Sequence, residues 1–211
     1  MNFKKTHSQT LLPMIDEMVR MLEIELSAID GIAVAGGPGS FTGLRIGAAT
    51  AKGLGLALKK PLIHVPTVDA MAYNLYGSDA FICPIMDARR NQVYTGIYHC
   101  RERLEIVKPQ CAMDMGELIR ELNRMGEKVV FLGDGVPVFC AAIREGMTVP
   151  YSFAPAQSSR QRAGSVAALG ALYFKEGKTV DAGAFEPDYL RKSQAERERE
   201  QELSKQEHGE E

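Results

Sequence analysis

The sequence predicts an α/β fold with parallel strands, and three neighbouring segments carry that prediction. Residues 31–35 form a short apolar run bounded by Asp30 and glycines, which is typical of a buried strand. A glycine-rich turn then leads into a helix that ends near Leu58, and residues 62–65 are a second apolar run. A strand–helix–strand order with a crossover of this length joins parallel strands.

The composition is that of a globular protein. Of the 211 residues, 45% are hydrophobic and 25% are charged, and the length suits one domain or two small ones. No apolar run approaches the roughly 20 residues that a membrane-spanning helix needs. With four cysteines, no CxxC pair and no apolar stretch typical of a signal peptide, the sequence predicts reduced thiols and a cytoplasmic protein.

The formal net charge of −2 is unevenly distributed. Residues 193–211 contain seven Glu, two Arg and one Lys, which gives this tail −4 and leaves residues 1–192 with +2. The tail is expected to be a frayed solvated helix or disordered. A nearly neutral body lacks the basic field with which a lone domain holds a nucleic-acid backbone.

An amphipathic helix precedes the first strand. Its apolar residues recur at three- and four-residue steps, and Pro13 fits it only in the first turn. The apolar positions are Leu11, Met14, Ile15, Met18, Val19 and Leu22. This face packs either on the protein's own sheet or on a partner, and methionine-rich surfaces suit adaptable partner binding.

The second helix carries a stripe of small residues. Gly43, Gly47, Ala51 and Gly55 follow one another at four-residue steps and so share one stripe. Each glycine inside a helix costs about 0.5–1 kcal/mol relative to alanine, so close approach of another backbone is the expected compensation. That backbone belongs either to the protein's own sheet or to a partner.

The rest of the chain continues the α/β pattern. Strands are predicted at residues 81–86 and 92–99, which the turn at residues 87–91 joins into a β-hairpin, and residues 104–107 are expected to extend that sheet. A further strand is predicted at residues 129–132. Helices are predicted at residues 68–75, 115–125, 138–144 and 165–174.

The sequence predicts neither a catalytic residue nor a metal ligand. No two of the four histidines have HxxxH or HExxH spacing. No GxSxG elbow surrounds Ser40. The best binding candidate is the glycine-rich turn, because backbone N–H groups at the start of a helix can hold an anion or a nucleotide phosphate. The residues of this candidate are Gly37, Gly39, Ser40 and Thr42.

The same turn carries a family resemblance. The block GGPGSFTGLRIG at residues 36–47 closely resembles the signature of the TsaB family, and THSQ at residues 6–9 is similar to the segment that precedes it. MDARR at residues 86–90 resembles the family's middle motif, and PDYLR at residues 187–191 resembles its closing motif. The resemblance covers nearly all of the chain before the tail.

The resemblance implies a fold and a role. TsaB proteins have the two-lobed α/β fold of actin-like ATPases, which is ribonuclease H-like, and are paralogues of the catalytic subunit TsaD. They support threonylcarbamoyl transfer to the tRNA adenosine next to the anticodon without performing it. They form a heterodimer with TsaD through the first two helices, self-associate through the same face, and join TsaE in a larger assembly. The tRNA is then bound only indirectly, through the complex.

For both helices, the resemblance implies that the face in question packs on a partner and not on the protein's own sheet. The interface residues that it implies are Leu11, Met14, Ile15, Met18, Leu22, Gly43, Gly47, Ala51 and Gly55. In TsaD the strand after the glycine-rich helix enters an HxExH metal motif, where this chain has Thr67 and Met71 in place of the histidines. Methionine is a poor ligand for a hard, phosphate-bound metal. ATP and metal are therefore expected in the partner subunits.

One departure from the family pattern concerns the first lobe. Family members begin with a strand and a hairpin before the His-Ser-Gln helix, whereas this sequence begins directly before that helix. We therefore expect an N-terminally truncated first lobe at residues 1–80, a second lobe at residues 81–192 and the charged tail. Two alternatives stay open: a stand-alone nucleotide-binding transferase or hydrolase that uses the glycine-rich loop, and a non-functional fragment.

Overall fold

The computed structural model of the protein describes residues 7–190. The helices are α1 (His7–Met21), α2 (Phe41–Leu58), α3 (Thr67–Ala72), α4 (Met115–Met125), α5 (Gly135–Gly146) and α6 (Ala163–Lys175). The strands are β1 (Ile32–Gly37), β2 (Leu62–Pro66), β3 (Ser78–Asp87), β4 (Gln92–Cys100), β5 (Leu104–Asp114), β6 (Val129–Leu132) and β7 (Tyr151–Phe153). The predictions for Thr6, Arg191 and the charged tail lie outside the described residues.

The strands form two sheets, which confirms the mixed α/β fold. In the first sheet β1 and β2 pair in parallel, with Ile32 opposite Leu62, and α2 is the crossover between them. The second sheet has the order β5-β4-β3-β6-β7. Its β3–β4 and β4–β5 pairs are antiparallel, and its β3–β6 and β6–β7 pairs are parallel.

Local signals fix the ends of two helices. The Ser40 hydroxyl accepts the Gly43 N–H at 3.4 Å at the start of α2. The Asp114 carboxylate accepts the Gly116 N–H at 2.8 Å at the start of α4, and Gly126 ends α4 in the left-handed conformation. Such caps satisfy N–H and C=O groups that a helix leaves without intrahelical partners.

Both faces of the second sheet are covered by helices. On one face Cys83, Ile85 and Ile97 pack with α4 and α5. On the other face Ile82 and Tyr98 pack with α3. The side chains at 82 and 83, and at 97 and 98, thus point to opposite faces, as the two-residue period of a strand requires.

The first sheet is also covered on both faces. One covering layer is α2, together with residues 181–190, which we call the C-terminal strap; its Ala182 and Phe185 are 3% and 2% exposed. The other layer contains α6, whose Leu169 packs with Ile63 and Val65. The sequence assigned α6 to the second lobe, yet this helix contacts both strands of the first sheet.

Four details differ from the sequence-based expectations. Pro13 lies in the second turn of α1, and not in the first. The helix predicted at residues 68–75 ends at Ala72 and continues as a 3-10 turn. β5 is longer than predicted, and β7 was not predicted because it has only three residues.

Within residues 7–190, no helix has both the length and the apolar character needed to cross a bilayer.

Candidate functional site

α1 leaves large apolar side chains in solvent. Met14 is 56% exposed, Met18 is 53% exposed, and Leu22, directly after the helix, is 60% exposed. Leu11 and Ile15 are half-buried, and α1 contacts α2. The five predicted α1 positions therefore divide into an inner pair that attaches the helix and three side chains that are free to meet a partner.

Two exposed apolar residues on α1 were not predicted as interface residues. Met21 is 76% exposed and Leu12 is 52% exposed. Met14, Met18 and Met21 follow steps of four and three residues, so they line one ridge of the helix, which we call the methionine ridge. The methionines of this helix indicated an adaptable surface from the sequence, but placing Met21 on the ridge needed the exposure of each side chain.

The small-residue stripe of α2 divides into an outer and an inner half. A Cβ atom added to Gly47 would meet nothing within 4 Å, and one added to Gly43 would meet only the Ser40 side chain. Ala51 is 6% exposed and packs in the core of the first sheet. A Cβ atom on Gly55 would lie 2.7 Å from the Ala182 Cβ. The assignment of Ala51 and Gly55 to a partner interface is therefore corrected: they pack within the chain.

The pitch of the helix explains that division. An α-helix turns by about 100° per residue, so each four-residue step overshoots a full turn by about 40°. From Gly43 to Gly55 the stripe rotates by about 120°, which carries it from the solvent side to the sheet side. The outer face instead includes Gly53, which is exposed and where an added Cβ atom would meet nothing within 4 Å.

The glycine-rich loop is closed on its inner side by the C-terminal strap. The Asp188 N–H donates to the Gly36 carbonyl at 2.6 Å. Gly37 has a φ of +122°, and a Cβ atom there would clash with the Asp188 carbonyl oxygen. A Cβ atom on Gly36 would likewise strike the His64 ring. These two glycines are required by close packing inside the chain.

The predicted anion-site residues do not converge on a single pocket. Gly37 is buried under the strap, whereas Ser40 and Thr42 are exposed. The Ser40 hydroxyl is already used as the cap of α2. Gly39 is half-buried, and a Cβ atom there would meet only the Leu44 side chain. The loop therefore has the backbone geometry found at the N-terminus of any helix, and Asp188 covers one of its sides.

A polar cluster ties the strap to both sheets. The Asp188 Oδ2 atom accepts a hydrogen bond from Gln110 Nε2 on β5 at 3.3 Å. It also lies 3.3 Å from His64 Nε2 on β2, close enough for an ion pair but without hydrogen-bond geometry. Since Asp188 is a carboxylate, the cluster places negative charge beside the glycine-rich loop. That placement disfavours a phosphate at the inner side of the loop.

A second carboxyl group is buried nearby. Asp69 on α3 is 4% exposed and accepts a hydrogen bond from the Tyr98 hydroxyl at 2.7 Å. Burial raises the pKa of this carboxyl above its usual range, and hydrogen bonds from Tyr98 and Tyr173 offset part of the rise. Burial also raises the pKa of the Tyr98 hydroxyl, as does the neighbouring Asp69. The arrangement joins α3, β4 and α6 through one buried acceptor.

The two positions that match the histidines of the TsaD metal motif lie in the interior. Thr67 is 8% exposed and Met71 is 1% exposed, and Met71 packs against Val68 and Leu132. In the part of the chain that the structure describes, no group of three or more His, Cys, Asp or Glu side chains could hold a metal ion. Among the described residues, the exposed methionine ridge of α1 is the most prominent apolar surface feature.

Comparison with known proteins adds a consistent set of relatives. A family model described as TsaD, tRNA N6-adenosine threonylcarbamoyltransferase, matches residues 2–199. The tRNA threonylcarbamoyladenosine biosynthesis protein TsaB of Bacillus subtilis is 33% identical over 92% of this chain and 83% of its own length. Its namesake in Escherichia coli is 29% identical over 90% of this chain and 83% of its own length.

A solved structure matches the fold. It is an uncharacterized protein from Pseudomonas aeruginosa described as similar to peptidase YEAZ, with a TM-score of 0.74 and 25% identity. The match covers 90% of this chain and 87% of the other.

Proposed function

Because this chain belongs to the TsaB family of tRNA threonylcarbamoyladenosine biosynthesis proteins, we propose that it is the non-catalytic subunit that dimerises with TsaD. The chain takes part in making threonylcarbamoyladenosine in tRNA. In this proposal TsaD transfers the threonylcarbamoyl group to the adenosine next to the anticodon, and TsaE joins a larger assembly. This subunit supports the transfer by binding TsaD, and it meets the tRNA only through the complex.

The exposed methionine ridge of α1 is the observation that carries the proposal. Three methionines at 53–76% exposure lie beside α2, and the outer side of α2 has open space at Gly47 and Gly53. Fully burying an exposed methionine is worth about 1.5–3 kcal/mol, and these side chains, which are already partly buried, contribute the share that is still exposed. A ridge of flexible side chains next to a helix that carries small residues with open space around them is suited to receiving the helices of a partner. A second copy of this chain is the alternative occupant of that face.

The non-catalytic part of the proposal draws on the interior residues. Thr67 and Met71 fill core positions where TsaD is expected to have metal-binding histidines. Asp188 covers the inner flank of the glycine-rich loop with a backbone contact and a carboxylate. Both features support a division of labour in which ATP and metal are bound by the partner subunits.

Two substitutions test the proposal on the folded chain. Met18→Glu places a charge on the ridge, and Gly47→Arg places a long side chain where a partner backbone would approach. Both sites are open in the isolated chain, so we expect normal unfolding curves. Binding to purified TsaD from the same organism, measured by calorimetry, should weaken by roughly 30-fold or more, as for a binding hot spot. Threonylcarbamoyl transfer by the assembled proteins should fall with it.

Val138→Glu is the matched control. Val138 on α5 is 58% exposed, close to the exposure of Met18, but belongs to the other lobe. This variant should bind TsaD as the unchanged chain does. Undiminished binding by both Met18→Glu and Gly47→Arg would contradict the proposed interface.

A further inference from the structure

His64 on β2 contacts both the neighbouring strand and the C-terminal strap. Its ring lies directly against Gly36 on β1, since a Cβ atom added to that glycine would strike the imidazole. The Phe185 ring of the strap lies beside it, with the two ring centroids 5.7 Å apart. The position of the imidazole is therefore set by packing, and a change in its charge is felt by the strap.

The imidazole faces the Asp188 carboxylate of the strap. The His64 Nε2 atom lies 3.3 Å from Asp188 Oδ2. This nitrogen is shielded from solvent, and among residues 7–190 it has no hydrogen-bond partner. A contact at this distance without hydrogen-bond geometry attracts through charge, so its strength depends on whether the imidazole carries its second proton.

Asp69 on α3 and Tyr173 on α6 are two further titratable groups beside the imidazole. Both line the same pocket as His64, whose volume is about 400 Å³. The Asp69 carboxyl interacts electrostatically with the imidazole, but burial raises the pKa of that carboxyl. Burial likewise raises the pKa of the Tyr173 hydroxyl to about 12, so this hydroxyl stays neutral where histidine titrates.

Lys178 is a cation at the same pocket. Its Nζ atom lies 2.7 Å from a Glu176 carboxylate oxygen, and this ion pair offsets its charge. β5 presents Ile106 to the pocket and Gln110 to the strap, and both side chains are uncharged. The imidazole therefore faces more negative than positive charge, and Asp188 is the nearest carboxylate.

We propose that His64 and Asp188 form a pH-sensitive latch, which holds the C-terminal strap tightly when the imidazole is protonated and less tightly when it is neutral. Asp188 also donates its N–H to the Gly36 carbonyl, and its carboxylate accepts a hydrogen bond from Gln110. The charge of one imidazole thus acts where the strap contacts both sheets and closes the inner side of the glycine-rich loop. The latch belongs to the chain itself and does not depend on binding to TsaD.

The direction of the effect follows from the charges. Histidine titrates near about pH 6.5, within the range of the cell. At a more acid pH the imidazole is charged, and its attraction to the Asp188 carboxylate stabilises the closed strap in full. As the pH rises through the range where histidine titrates, the proton is lost and the attraction disappears with it.

Hydrogen exchange of the full chain at about pH 5.5 and about pH 7.5 measures the latch. Protection factors, from which the intrinsic pH dependence of amide exchange has been divided out, report how readily the strap opens. The Asp188 N–H should lose about two- to fivefold of its protection at the higher pH, as expected for a partly exposed ion pair. The nuclear magnetic resonance signals of the His64 ring and of this amide should change with the same pH midpoint.

Two neutral variants should each remove this pH dependence. His64→Gln has an amide in place of the imidazole and no proton to gain. Asp188→Asn keeps a side-chain oxygen for Gln110 but lacks the carboxylate charge. His99→Gln is the matched control and should keep the full pH dependence, because His99 packs on the Phe81 ring, with centroids 4.3 Å apart, in the second sheet.

Four results would overturn the inference. The first is equal protection of the strap at both pH values in the unchanged chain, and the second is a pH dependence that survives in His64→Gln. If Asp69→Asn removes the dependence while Asp188→Asn keeps it, the responding acid is Asp69 and the latch is wrongly assigned. Loss of the dependence in His99→Gln would show a general effect on the fold instead of a local one at His64.

Discussion

At the scale of single residues, Asp69 shows how a short polar side chain can link three elements. It lies on α3 and is 4% exposed. The Tyr98 hydroxyl on β4 donates to it at 2.7 Å, and Tyr173 on α6 is a second hydrogen-bond partner. A buried carboxylate is tolerated only when such donors replace the water that it has lost.

The raised pKa of Asp69 predicts that the free energy of unfolding depends on pH. A folded-state pKa above the ordinary value of 3.8 means that the folded protein holds this proton more tightly than the unfolded chain. The stabilising contribution is therefore complete below pH 3.8 and is lost as the pH rises through the raised pKa. Asp69→Asn has no proton to lose. As the pH rises from acid to neutral, the unchanged protein loses this contribution and the variant does not. The free energy of unfolding of the variant should therefore rise relative to that of the unchanged protein, by about 1.4 kcal/mol for each unit by which the pKa of Asp69 is raised.

Urea unfolding at several pH values measures this difference. Asp79→Asn is the control, because the Asp79 side chain is 79% exposed and pairs with Arg101 at the surface. The control should show no comparable rise. A difference between Asp69→Asn and the unchanged protein that stays constant with pH would contradict the assigned burial effect.

At the scale of elements, α2 has two faces made of similar residues with different roles. Ala48, Ala51 and Gly55 lie on the face that packs against the first sheet and the strap. A Cβ atom added to Gly47 or Gly53 would meet nothing within 4 Å. Gly55 permits close contact, whereas Gly47 and Gly53 have open space around them and weaken the isolated helix.

Alanine substitutions should separate the two faces. Gly53→Ala adds a methyl group into open space and removes backbone freedom from the unfolded chain, so it should stabilise the protein by about 0.5–1 kcal/mol. Gly55→Ala would place its Cβ 2.7 Å from the Ala182 Cβ and 3.0 Å from the Lys60 carbonyl oxygen. It should destabilise the protein by about 1–3 kcal/mol.

The two alanine variants control for each other, since they share the chemical change and the helix. Thermal or urea unfolding gives both values on the isolated chain. Equal effects at positions 53 and 55 would contradict the two-faced description of α2.

At the scale of the whole molecule, the C-terminal strap holds the two sheets together. Phe185 is buried between α2 and the first sheet. Asp188 then contacts Gly36 and His64 on the first sheet and Gln110 on the second. The chain thus returns at its described end to the segment where its first strand enters the glycine-rich loop.

Removing the Asp188 carboxylate should loosen this connection. Asp188→Ala deletes the acceptor for Gln110 and the partner of His64 but keeps the backbone bond to Gly36. Because the side chain is 44% exposed, we expect a loss of only about 1 kcal/mol in the free energy of unfolding. Hydrogen exchange should quicken at the strap and around Gln110, since local opening then needs less energy.

Two comparisons sharpen that measurement. Asp188→Asn keeps a side-chain oxygen for Gln110 and should have the smaller effect. Glu186→Ala, on the same strap but outside the hydrogen-bonded cluster, should leave the exchange pattern unchanged. Faster exchange in Glu186→Ala than in Asp188→Ala would contradict the role given to Asp188.

Residue spacing alone was enough to predict the elements that depend on local pattern. The strand–helix–strand order around GGPGSFTGLRIG, the periodic apolar residues of α1 and the hairpin at residues 81–99 were all predicted from the sequence. The family motifs were likewise continuous in the chain. Each of these signals lies within a few residues of the structure that it specifies, so no knowledge of distant contacts was needed.

Which surfaces are free and which are filled depends instead on contacts between distant parts of the chain. Ala51 and Gly55 share a sequence pattern with Gly43 and Gly47, yet Ala182 from the far end of the chain packs on one half of that stripe. The contacts of the strap with both sheets also join residues that are far apart in sequence. Whether a side chain is buried depends on neighbours from the whole chain, and the spacing of residues in one segment does not identify those neighbours.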